Sequence, residues 1–108
     1  DLSVIAALFG GIDDEALATL DEFVAVTVPR IERIGAALAA GDLNEARHWA
    51  HTTAGAAASV GAAALAEQCL RLEGACRDGE GGLAPALLRQ TRTALSSVEA
   101  AIRALHAG

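Results

Sequence analysis

The chain has 108 residues, 53% of them hydrophobic, with one tryptophan, two phenylalanines, no tyrosine and no methionine. That length holds one domain with a single modest core, which excludes a two-domain enzyme, and the apolar share excludes intrinsic disorder. Fourteen acidic residues against eight basic ones give a net charge of −6, every base is an arginine, and no basic stripe for nucleic acid or an anionic membrane is present.

Alanine fills 27 positions, and this small-residue composition predicts closely packed helices rather than a sheet. No apolar window is long enough to span a bilayer without meeting a charge or a glycine pair. No secretory segment opens the row. The row starts at Asp1 and lacks methionine, so residues 1–108 are read as one domain of a longer chain, or as a chain trimmed at its start.

Glycine clusters divide the row into five apolar-periodic segments. Leu2 to Phe9 predicts a short first helix, with Leu2, Ile5 and Phe9 on one face. A long helix follows from an N-cap at Asp13 to about Ala40, with the stripe Leu17, Leu20, Val24, Val28, Ile31 and Leu38. Pro29 lies inside that stripe and predicts a kink, not a break, because the periodicity continues past it. The third segment opens with Asp42 and Glu45 at capping-box spacing, carries the seam Leu43, Ala46, Ala50, Thr53, Ala57 and Val60, and stops at Gly61. Ala62 to Arg77 predicts a helix with Leu65, Cys69, Leu72 and Cys76 in line. After a loop from Asp78 to Gly82, Pro85 opens a final helix carrying Leu87, Thr91, Ala94, Val98, Ile102 and Leu105. The expected architecture is all-α: an antiparallel four-helix bundle with a short additional N-terminal helix.

Cys69 and Cys76 would stand two turns apart on one helix, about 10 Å by the helical rise and too far for a disulfide. They are read as buried hydrophobes in a reducing compartment, which places the chain in the cytoplasm.

One position breaks the local rules. Gly55 sits in mid-helix among alanines, where glycine costs roughly 0.8–1 kcal/mol against alanine. It follows His51 by four residues, so the two share a face, and that face is turned about 100° from the seam. Two readings stand level: Gly55 clears access to an exposed imidazole, or it lets two helices pack closely beside an ordinary surface histidine.

The stretch AHTTAGAAASVG from Ala50 to Gly61, followed by Leu65, Cys69, Leu72 and Glu73 in ALAEQCLRLE, resembles the signature of histidine-containing phosphotransfer (HPt) domains. The preceding AALAAGDLNEARHWAH and the proline in the long helix resemble the family too, so the likeness covers Phe23 to Arg77. The resemblance implies that His51 accepts the phosphoryl group and that Gly55, Ser59, Val60 and Gly61 complete the motif. Two positions depart from it: Ala54 stands where the family carries a lysine beside the phosphoryl group, and Thr53 where leucine or isoleucine is usual. Ala62 after Gly61 departs from the aromatic of chemotaxis-kinase relatives.

An unprotonated imidazole is a competent nucleophile near neutral pH. With no phosphate loop and no acidic cluster suited to magnesium, the chain is expected to be a phosphoryl carrier without kinase activity, cofactor or metal of its own. The Mg2+ and the aspartate would belong to a response-regulator receiver domain docking on the flank formed by His48, His51, Thr52, Ala54, Gly55 and Ala58. A histidine kinase would act in the same pathway or chain; nucleic acid and membrane insertion are not expected. The alternative is a degenerate bundle that docks receivers or dimerises without carrying phosphate, because Ala54 replaces the lysine. His48 with Arg47 would orient a phosphoryl group or, the better-supported reading, form a solvated polar face. Trp49 is read as a packing anchor and His106 as a helix-end interaction.

Overall fold

The computed structural model describes residues 13–108, so the predicted helix over Leu2 to Phe9 lies outside the described residues. Four helices follow in order: α1 (Asp14–Ala39), α2 (Leu43–Ser59), α3 (Ala63–Arg77) and α4 (Ala84–Ala107), with no strand among the described residues. Each packs on its neighbour in sequence, and α4 closes against α1, while the diagonal pairs do not pack directly. Connections of a few residues force consecutive helices to run antiparallel, so the bundle is an up-down square, as the periodicity predicts.

The first two turns are built alike. Gly41 and Gly61 adopt φ of 73° and 78°, a left-handed conformation that a Cβ would strain. The Gly41 N–H donates to the Leu38 carbonyl at 3.1 Å and the Asp42 N–H to Ala37 at 2.8 Å; Gly61 and Ala62 repeat this onto Ala58 and Ala57. This pair of bonds satisfies carbonyls that a helix end leaves unpaired. Asp13 and Asp42 cap the other ends, each Oδ1 accepting from the N–H three residues on. The capping box is only half formed. Glu45 does not return a bond to Asp42, whose N–H is already spent on Ala37; its carboxylate accepts from Trp49 Nε1 at 2.9 Å instead.

The core is one cluster drawn from all four helices, including Phe23, Ile31, Ile34, Leu65, Leu72, Leu95 and Ile102. α1 is a single helix through Pro29, and its buried row is Leu20, Phe23, Thr27, Ile31, Ile34 and Ala37. Val28, expected in the stripe, is exposed, because a helical period of 3.6 brings Thr27 under the row. On α4 the buried row centres on Leu88, Thr91, Leu95, Val98 and Ile102, with Leu87, Ala94 and Leu105 beside it. Cys69 and Cys76 are buried free thiols, and burial pushes Cys69 up to about 12.

Candidate functional site

His51 is the midpoint of α2. The buried seam of that helix is made of Ala46, Ala50, Thr53, Ala54 and Ala57, small residues that let α2 sit closely against both neighbours. Thr53 takes its place there by donating its hydroxyl to the Trp49 carbonyl at 2.7 Å, which leaves no buried hydroxyl unpaired on this helix. With the seam turned inward, the His51 side chain points out and is 73% exposed.

Across the α2–α3 contact, His51 Nδ1 lies 3.0 Å from Glu73 Oε1. The Glu73 side chain is only 15% exposed, so it is held against the bundle while the imidazole stands in solvent. A carboxylate only accepts, so this bond puts the hydrogen on Nδ1 and leaves the lone pair of the neutral ring on Nε2. Glu73 entered the sequence reading as part of a motif without a role. Pairing over 22 positions depends on the register of two helices, and Leu72 beside it in the core row was the one signal that fixed which way Glu73 faces.

Asn44, Arg47, His48, His51 and Glu73 line one shallow depression on this flank. The His48 ring meets the Trp49 indole edge-on, with centroids 5.1 Å apart. Trp49 is half-buried, donates to Glu45 and lies under the Arg33 guanidinium at 4.8 Å, so it anchors α2 to α1 as expected. One turn beyond Glu73, Arg77 bonds to Asp78 at 3.1 Å. That bond, with the charge of Asp78 and a smaller contribution from Glu73, holds its pKa above the usual arginine value.

Of the other expected docking residues, His48, Gly55 and Ala58 are exposed and Thr52 is half-exposed. Ala54 is not on the flank: it is 4% exposed and belongs to the core. The apolar row of α2 is wider than a strict heptad seam, and its edge takes in the position one step from Thr53. Among the described residues nothing lies within 4 Å of where a Gly55 Cβ would stand, so this glycine serves no close contact between the described helices. At Gly35 a Cβ would meet the tip of the Arg92 side chain at 2.9 Å and Leu88 at an ordinary 3.5 Å. Ser59 spends its hydroxyl on the Gly55 and Ala56 carbonyls of its own helix. His106 reaches across to α1, with Nε2 at 2.8 and 2.9 Å from the two Asp21 oxygens.

His51 thus stands out from an up-down bundle with Nδ1 held by Glu73 and Nε2 without a hydrogen-bond partner among the described residues. The profile of the Hpt domain family matches residues 18–101, and the chain belongs to that family. The crystal structure of histidine-containing phosphotransfer protein B (HptB) from Pseudomonas aeruginosa PAO1 is similar at a TM-score of 0.77 and 35% identity, over 85% of this chain and 90% of that one. No curated protein sequence matches the chain significantly. Hpt domains are phosphocarriers that meet the receivers of two-component pathways, and a histidine phosphotransfer role in a phosphorelay follows for this chain. Among the described residues no helix is long and apolar enough to cross a membrane, and no three His, Cys, Asp or Glu side chains gather as a metal site.

Proposed function

We propose that His51 Nε2 accepts a phosphoryl group from the aspartyl phosphate of one response-regulator receiver and delivers it to the aspartate of another. The observation that carries this reading is the Nδ1–Glu73 contact on an imidazole that is otherwise open to solvent. The Nε2 lone pair attacks phosphorus in line with the acyl oxygen. The P–O bond breaks with its electron pair returning to the aspartate carboxylate. The ring then carries phosphorus on Nε2 and a proton on Nδ1, and Glu73 faces the positive charge so formed. Delivery is the same path reversed. Magnesium held by the receiver would neutralise phosphoryl oxygens during transfer, and this chain acts as carrier rather than kinase.

Docking would use the flank around His48, Thr52, Gly55 and Ala58. Leu70 extends it across α3: it is 55% exposed and lies one turn before Glu73, on the same ridge. The bundle being antiparallel, Leu70 stands about level with Gly55, so an apolar contact adjoins the cleared position. A cytoplasmic setting follows from receivers as partners.

The test is incubation with a phosphorylated receiver and magnesium, reading label that survives alkali and not acid. The wild type is expected to take up such label, and His51→Gln to take up none while keeping its helical circular dichroism. Equal label in His51→Gln removes the site. No label in the wild type, with receiver binding still detectable, leaves the docking bundle that Ala54 suggests.

A further inference from the structure

If His51 carries the phosphoryl group, as proposed above, that group arrives with negative charge beside the Glu73 carboxylate. The cation that faces it does not come from position 54: Ala54 has no charge, and its Cβ is buried in the core. We propose that Arg47 supplies this charge, binding the phosphoryl oxygens at His51 through its guanidinium.

Arg47 precedes His51 by four residues, one turn away on the same face of α2, where Cβ atoms stand about 5–6 Å apart. Both line the depression that also holds Asn44, His48 and Glu73. Among the described residues Arg47 has no carboxylate within 4.0 Å, unlike Arg71, Arg77 and Arg92, which pair with Glu67, Asp78 and Glu32. Its five donors are therefore uncommitted, and a planar guanidinium binds two phosphoryl oxygens at once. Asn44, one turn earlier, adds amide donors to the same wall. The remaining charged or titratable groups facing this position are Glu73, committed to Nδ1, His48, in edge contact with Trp49, and Arg77, bonded to Asp78.

The test uses phosphoramidate, a small donor that needs no docking surface. His51 Nε2 attacks its phosphorus as the P–N bond of the donor breaks, the electron pair and a proton leaving with nitrogen as ammonia. Labelling of Arg47→Gln is expected to be slower by about tenfold, the size of one charge-assisted hydrogen bond, with Arg47→Lys recovering part of the loss. Arg103→Gln, which removes the same charge from an exposed site on α4, is expected to label at the wild-type rate. The titration midpoint of the phosphoryl group, followed by 31P NMR, is expected to rise in Arg47→Gln, because a nearby cation favours the dianion. Equal rates and equal midpoints in Arg47→Gln and the wild type overturn the inference while leaving His51 as the acceptor. An equal loss in Arg103→Gln overturns it too, in favour of a general field effect. Undiminished label in His51→Gln removes the acceptor and the inference together.

Discussion

Gly55 leaves open space on the His51 face, and Glu73 holds the imidazole by Nδ1 at 3.0 Å. Among the described residues nothing lies within 4 Å of a Cβ placed at Gly55, so Gly55→Ala is expected to stabilise the bundle by about 0.5–1 kcal/mol, read by thermal or urea unfolding. If the bare position admits a docking receiver, the same variant is expected to relay more slowly from a phosphorylated receiver and to keep its rate with phosphoramidate. A more stable variant with an unchanged relay would show that the glycine has no part in access. The spacing of His51 and Gly55 was legible in the sequence because it lies within one helix. The Glu73 contact was not, since it is made by the docking of α3 on α2, and a single step of register would turn another side chain toward the imidazole.

At the scale of the helix, the rows that face the core are wider than an apolar stripe suggests. On α1 the sequence stripe passes through Val28, yet the buried residue is Thr27, whose hydroxyl finds no hydrogen-bond partner among the described residues. An unpaired buried hydroxyl costs about 1–3 kcal/mol, and valine has nearly the same shape. Thr27→Val is therefore expected to raise stability by about 1–2 kcal/mol, measured as a higher denaturant midpoint at an unchanged slope. A lowered midpoint would mean that the hydroxyl is bonded in solution. The same width explains Ala54. It follows Ala50 by four residues and precedes Ala57 by three, spacings that place it on the buried face, but on a helix built of alanine no large side chain shows how far that face extends. Element boundaries were the most legible part, because Asp13, Asp42, Gly41, Gly61 and Pro85 each act locally. The capping box failed for a reason outside its four residues: the preceding turn had already taken the Asp42 N–H.

For the whole molecule, four antiparallel helices in a square leave Cys69 in the interior, where its thiol is pushed up to about 12 from an ordinary 9.0 by burial alone. A raised thiol pKa in the folded state stabilises it while both states are protonated. That contribution is whole below the unfolded value and is lost as pH rises from about 9 towards about 12. The melting temperature is expected to fall over that window in the wild type and to fall less in Cys69→Ala, once the loss of packing common to all pH values is subtracted. At pH 8 a thiol reagent is expected to modify Cys69 at the rate of global unfolding, since Cys69 is fully buried on a helix packed against both of its neighbours. The bundle also concentrates its optical signal. Trp49, the sole tryptophan of 108 residues, is tied to Arg33, Glu45 and His48 and stands two residues from His51, the proposed acceptor. Its emission comes from one place only, so a change of charge on the neighbouring ring, or the arrival of a partner surface over it, is written into the intrinsic fluorescence of the unlabelled protein.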